Sequence, residues 1–144
     1  MIRQATRYDK QQIIEMMKEF RDSSGIPELA EATDEVYFNA LLDRMIAGQG
    51  VIHIAEGKGL IMGLVLPSLW CDKILGLHEI AWYVRPEFRG STVGFRLLDA
   101  YLKHAQEMKR TGRVKYLTIS KMDNSPDLKY QRYGFRKKDE NWIQ

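Results

Sequence analysis

The chain has 144 residues, 44% hydrophobic and 28% charged, and its 22 Lys and Arg against 19 Asp and Glu leave a formal net charge of +3, the composition of one soluble globular domain. Such a length buries roughly 68% of the unfolded surface and needs no covalent staple; Cys71 is the only cysteine and there are three histidines, which excludes an intrachain disulfide, a paired-cysteine knuckle and a zinc quartet. The longest apolar run, Leu60 to Leu66, falls far below the ~20 residues of a membrane span, and the opening MIRQATRYDK has no apolar signal core, so a cytoplasmic location is expected.

Ile2 to Ala5 reads as a short strand, after which Thr6 or Asp9 caps a helix with Ile13, Ile14, Met17 and Phe20 inward, stopped by Ser23, Ser24, Gly25 and Pro27. A long acidic connection leads to a second helix, opened by Thr33 or Asp34, with Phe38, Leu41, Leu42, Met45 and Ile46 inward and Gly48 closing it. Val51 to Ala55 and Leu60 to Leu69 form a hairpin about Glu56 to Gly59, and Leu75 to Val84, ended by Pro86, completes an antiparallel meander. The stripe Val93, Leu97, Leu98, Tyr101, Leu102, Ala105 and Met108 predicts a third helix, stopped by Thr111 and Gly112. Val114 to Ile119 is the next strand, Ser125 to Tyr133 a short helix with Pro126 in its first turn, and Phe135 onward a last strand or two. The unit from Leu75 to Ile119 is β-α-β, so its two strands lie parallel with a right-handed crossover. The fold class is therefore α/β or α+β about one core, without repeats or linkers over residues 1–144, and its ligand site belongs where the crossover helix begins.

Charge is divided unevenly: residues 1–80 carry 8 basic and 12 acidic side chains, residues 81–144 carry 14 and 7. The second half suits an anionic partner, a phosphate-bearing cofactor or nucleic acid, or else presents solvated helix faces. Between strand and crossover helix lies VRPEFRGSTVGFRLL, where Gly90, Ser91, Thr92 and Gly94 let backbone amides approach a phosphate and Arg89 and Arg96 add charge, although the same residues also make an ordinary helix cap. No Gly-Lys-Ser/Thr follows, so this is no Walker loop, and GKGLIMG at 57–63 has no helix after it to make a dinucleotide fingerprint.

The run HEIAWYVRPEFRGSTVGFRLL, followed by NSPDLKYQRYGF, resembles the acetyl-coenzyme A site of the GCN5-related N-acetyltransferases, the GNAT family. The family's loop pattern of Gln or Arg, two residues, Gly, one residue, Gly or Ala falls on Arg89, Thr92 and Gly94, with Thr92 where Gly is usual; Tyr130, Gly134 and Phe135 match its Tyr four residues before Gly-Phe. Asn124 resembles the cofactor-contacting Asn, one residue nearer to Tyr130 than is common. The order of elements agrees over nearly the whole chain. The resemblance implies a mostly antiparallel mixed sheet with helices on both faces, and acetyl-CoA as cosubstrate with no metal. It implies main-chain pairing of pantetheine with Trp82, Tyr83 and Val84, and pyrophosphate under Val93 to Phe95. It also implies Tyr130 as the acid that protonates the leaving thiolate, the other reading of this residue being a core aromatic.

Acetyl transfer to an amine is helped by a base or a water relay, because an amine of pKa about 10.4 is free in about one molecule in 2,500 at pH 7. Glu79 is the candidate. Period-two alternation gives it the face of Leu77, Ala81 and Tyr83, which would desolvate it and raise its pKa; the alternatives are an exposed edge residue or a salt-bridge partner. HEIAWYV also resembles the strand on which some family members place a catalytic Glu. His78 points to the opposite face and reads as structural. Asp22, Glu28, Glu31, Asp34 and Glu35 offer an acidic rim for a cationic amine acceptor, a small molecule or a protein Lys. A non-catalytic nucleic-acid- or protein-binding module is the competing function. It would need exposed aromatics among the basic residues, whereas Tyr101, Tyr130, Tyr133 and Phe135 fall at core or motif positions. Trp142 and Ile143 beside a short final strand suggest a homodimer through that edge.

Overall fold

In the computed structural model, which describes residues 1–122, 125 and 127–144, β1 is Ile2–Gln4, α1 Lys10–Ser23, α2 Glu35–Arg44, β2 Gly50–Ala55, β3 Gly59–Pro67, β4 Leu75–Val84, α3 Val93–Arg110 and β5 Tyr116–Thr118. The strands form one sheet in the order β1-β2-β3-β4-β5. The first four pair antiparallel, and β5 pairs parallel to β4 from Gly76 and Tyr116 to His78 and Thr118, the connection a β-α-β crossover requires. Helices cover both faces: Ile13, Met16, Leu42, Met45, Leu60, Met62, Ala81 and Tyr83 share one buried cluster with α1 and α2. Ile61, Leu77, Leu97, Leu98, Tyr101, Ala105 and Met108 share the other with α3.

Local chemistry explains the ends. Thr6 caps a 3-10 turn, Arg7–Asp9, that leads into α1; Asp9 holds Arg3 through two bonds of 2.8 Å and accepts from the Thr6 N–H at 2.7 Å. The Arg3 guanidinium keeps the Asp9 carboxyl well below the usual carboxylate range despite burial. Met16, not Met17, is the fully buried methionine of α1. Asp34 opens α2, its carboxylate accepting the Tyr37 N–H at 3.1 Å. The helix then runs on as a π turn, Met45–Gln49, to Gly48 at φ +124°, a backbone conformation that favours glycine.

Three expectations are corrected. Pro67 ends β3 before Ser68 and Leu69, and the Ser68 hydroxyl turns the chain by accepting from the Cys71 N–H at 3.0 Å. The helix expected over Ser125 to Tyr133 is a 3-10 turn, Tyr130–Tyr133, closed by Gly134 at φ +86°, while Pro126 lies outside the described residues. No strand forms over residues 135–144: the consecutive charges of Arg136 to Glu140 have no apolar alternation, and Lys138 pairs with its neighbour Asp139 at 2.6 Å.

Candidate active site

The register between β3 and β4 shifts at one point: Met62 opposes Ala81 and Gly63 opposes Glu79, so Ile80 is an extra residue with no partner. A bulge of this kind re-aims the side chains on either side of it. Leu77 belongs to the α3 cluster, Ala81 and Tyr83 to the α1 cluster. Glu79 therefore lies with Leu77 on the α3 face and does not share a face with Ala81 and Tyr83; the bulge interrupts the alternation that predicted it. Trp82 and Val84 return to the α3 face. At the shift β3 carries Gly63, where an added Cβ would fall 2.1 Å from the Tyr101 hydroxyl oxygen. A buried tyrosine from α3 occupies the space that a side chain on β3 would need.

Glu79 is 7% exposed. Burial pushes its carboxyl from 4.5 up to about 7, opposed weakly by the Ser120 N–H, 3.5 Å from Oε2. Tyr130 is raised by burial and then by the charge of Glu79, so these two groups sense one another. Tyr101 is raised well beyond the usual phenol range by the same two causes. His78 lies on the other face, its Nδ1 2.7 Å from the Thr118 hydroxyl and its ring against Tyr116, which is a structural setting.

Beyond His78 and Thr118 the pairing of β4 with β5 stops, although β4 continues to Val84. The gap between them opens a cavity of about 460 Å³. It gathers Glu79 and Tyr130 with Trp82, Tyr83, Val84, Arg89, Gly90, Ser91, Gly94 and Phe95. Of the expected site residues, Thr92 and Val93 do not line it: Val93 is buried in the α3 cluster, and Asn124 lies outside the described residues. Residues that sequence reasoning missed complete the wall, Phe20, Ser23 and Ser24 from the end of α1 and Ile80, Met122 and Leu128. The α1 residues carry no motif; only their place at the end of the apolar stripe, Phe20, and just after it, Ser23 and Ser24, could have pointed to them. A second cavity, about 500 Å³ beside Lys73, Lys109 and Arg113, holds none of the expected site residues.

The start of α3 fits a phosphate group. The Arg96 N–H bonds the Thr92 carbonyl at 3.0 Å as the first full helical turn, and the Val93 N–H is held by the Ser91 hydroxyl at 3.3 Å. The amides of Gly94 and Phe95 are left pointing out of the first turn at the positive end of an 18-residue helix dipole. Gly90 takes φ +85°, and a Cβ on Gly94 would stand 3.6 Å from Val84, so this glycine answers to open cavity and not to a protein clash. Thr92, at φ −83° and ψ −2°, sits in backbone that any residue adopts, so replacing the usual glycine costs no strain. Arg89 donates from Nε to the Val84 carbonyl at 2.8 Å and lies over the Tyr83 ring, 5.6 Å from its centre. The Trp82 indole N–H is buried and finds no acceptor among the described residues. These groups suit the phosphates and amides of coenzyme A, while no group of three or more metal-ligating side chains occurs among the described residues.

The acidic residues expected to rim the acceptor side do not line the cavity. Asp22 pairs with Arg21 at 2.9 Å, Glu35 pairs with Lys18, Asp34 caps α2, and Glu28 and Glu31 face solvent. Short local partners hold them on the outer surface of the connection.

Residues 5–135 match the model of the acetyltransferase (GNAT) family. No curated protein gives a significant match to the sequence. Among solved structures, a predicted acetyltransferase with acetyl-CoA from Clostridium acetobutylicum superposes with a TM-score of 0.76 at 18% identity, covering 100% of this chain and 94% of its own. Glucosamine-6-phosphate N-acetyltransferase from Arabidopsis thaliana gives 0.69 at 15%, covering 100% and 96%. An aminoglycoside acetyltransferase from an uncultured soil metagenomic sample, in complex with trehalose, gives 0.70 at 13%, covering 100% and 92%.

Proposed function

That this chain belongs to the acetyltransferase (GNAT) family is the premise from which we propose that residues 1–144 act as one N-acetyltransferase unit, moving an acetyl group from acetyl-CoA to a primary amine. The observation that carries this reading is the convergence of a buried carboxyl, a tyrosine hydroxyl and an open helix start on one cavity. When bound, acetyl-CoA supplies the thioester carbonyl and a thiol leaving group. Arg89, Gly90, Ser91 and the amides of Gly94 and Phe95 would hold its phosphates, with the main-chain edge of β4 from Trp82 to Val84, which β5 does not reach, along its arm. Thr92 and Val93 shape the turn from beneath.

Glu79 acts as the base. With its carboxyl near 7, it is about half ionised at neutral pH and matched to the proton it must take from an acceptor ammonium. Tyr130, raised and therefore protonated at that pH, donates its hydroxyl proton at the sulfur. Of the two protons the ammonium nitrogen loses, one balances that delivered to the sulfur and the other reaches solvent through Glu79. A main-chain N–H of β4 stabilises the carbonyl oxygen as it gains charge. Within this proposal Asn124 is a further coenzyme contact.

The non-catalytic module is not favoured: although Phe95 and Trp142 are exposed, Tyr101 is buried, Tyr133 packs on the α3 cluster, and Tyr130 lines one cavity with Glu79 and Arg89 in place of an open basic stripe. No helix among the described residues is long and apolar enough to cross a membrane; cytoplasmic action, where Cys71 stays reduced, is part of the proposal, as is a homodimer through the exposed Trp142 and Ile143. Release of free thiol from acetyl-CoA in the presence of a primary amine, with the acetylated amine identified by mass, tests the reading. Thiol release that needs no amine, or none at all, overturns it.

A further inference from the structure

The cavity wall facing away from the α3 start carries Phe20, Ile80, Met122 and Leu128 with four serines, of which Ser23 and Ser24 already donate their hydroxyls to the Phe20 and Arg21 carbonyls at 3.0 and 2.7 Å. Phe20 stands edge-on to Tyr83, 5.9 Å between ring centres, and Ile80, thrown outward by the bulge, is 42% exposed at the opening. Met122 and Leu128 close the opposite side. Against this, Glu79 is the only carboxylate among the described lining residues. The acid of α1 adjacent to Phe20, Glu19, is already engaged: it accepts from the Tyr83 hydroxyl at 3.2 Å and from Arg85 at 2.8 Å. Arg89, the one cation among the described lining residues, lies over the Tyr83 ring on the coenzyme side and offers an acceptor no counter-charge.

An acceptor with several ammonium groups would leave charges unpaired against this wall, and one with a ring of hydroxyls would meet Ser120 and Ser125 but more apolar side chains than polar partners. An acceptor with one amine and an apolar body leaves none. Resting on the transfer reading above, we propose that the site takes a primary monoamine carried on an apolar or aromatic body, in preference to a polyamine, an amino sugar or a lysine-rich peptide. Glu79 receives the single amine and Phe20, Ile80, Met122 and Leu128 enclose the body, a division of labour in which apolar fit sets selectivity.

The test is thiol release from acetyl-CoA with 2-phenylethylamine, spermidine, glucosamine 6-phosphate and a lysine-rich peptide as acceptors, in the wild-type chain and in Ile80→Glu and Ser23→Asp. Each variant adds a carboxylate to the wall. The wild type is expected to turn over 2-phenylethylamine with a kcat/KM at least about tenfold above the other three. The variants are expected to shift the ratio of spermidine to 2-phenylethylamine upward by about tenfold, with the calorimetric affinity for acetyl-CoA unchanged. Spermidine, sugar phosphate or peptide used by the wild type as well as the monoamine overturns this inference and leaves the transfer reading standing; so does a ratio unmoved in both variants. Acetyl-CoA bound with no thiol released by any of the four amines overturns the transfer reading and this inference together.

Discussion

Replacing Glu79 with Gln should stabilise the protein at alkaline pH while it disables the site. The carboxyl titrates at about 7 in the folded chain, against 4.5 for a free side chain. A folded value raised above the unfolded one favours folding fully below about pH 4.5, and that advantage is lost as pH rises through 7, since the charged form must then be kept out of water. At 1.36 kcal/mol per unit, the cost of the native carboxylate is about 1 kcal/mol at pH 5 and about 3 kcal/mol at pH 8. Gln has the same shape and no charge, so urea unfolding of Glu79→Gln and wild type should give a stability difference that grows in favour of the variant by about 2 kcal/mol between pH 5 and pH 8. Over the same range the wild-type rate should rise through about pH 7, whereas the variant should lose about 10²- to 10⁴-fold at pH 7 and recover only toward the pKa of the acceptor amine. A stability difference that is flat with pH would refute the buried, unpaired carboxylate; a rate loss equal at every pH would refute the base.

Tyr130→Phe should lower kcat by about 10- to 100-fold with the calorimetric affinity for acetyl-CoA retained; unchanged turnover removes the acid role. Gly63→Ala should cost about 1–3 kcal/mol in urea unfolding, because its Cβ would strike the Tyr101 hydroxyl, and Tyr101→Phe should restore part of the loss; a neutral Gly63→Ala contradicts the account of the bulge. His53, buried with its Nδ1 unpartnered, is pushed from 6.5 down to about 4 by burial and then by His104, so the stability it contributes is present above 6.5 and lost as pH falls through 4. His53→Phe should reduce the fall in Tm between pH 6.5 and pH 4, and an identical fall in both proteins would contradict this. Light scattering should find a dimer that is lost on truncation after Asn141; a monomer throughout removes the dimer, and a dimer surviving truncation moves it elsewhere.

What could be read from the chain alone follows from where each constraint acts. The α3 stripe was legible because helical periodicity is local: Val93, Leu97, Leu98, Tyr101, Ala105 and Met108 are all buried. The turn before α3 was legible for the same reason, since Gly90, Ser91 and Gly94 are contiguous with the helix start. The faces of β4 were not, because the bulge at Ile80 lies opposite Gly63 where Tyr101 packs, and these residues meet β4 only through pairing and packing. Alternation assigned Glu79 the right neighbour in Leu77 and the wrong ones in Ala81 and Tyr83. The acceptor wall was also hidden: Phe20 and Leu128 are brought to one cavity by the fold and by nothing in their local spacing. The acidic connection misled in the opposite way, since its charge is real but its carboxylates are held outward by Arg21, Lys18 and a helix cap.

The most direct test of the central claim is calorimetric titration of acetyl-CoA into the wild-type chain and into Gly94→Glu, which places a carboxylate at the open helix start. The wild type should bind in the micromolar range, about −8 kcal/mol, and the variant, refolded to the same Tm, should show no heat at matched concentration. Absence of heat with the wild type, or equal affinity in the two proteins, would contradict an acetyl-CoA site at the start of α3.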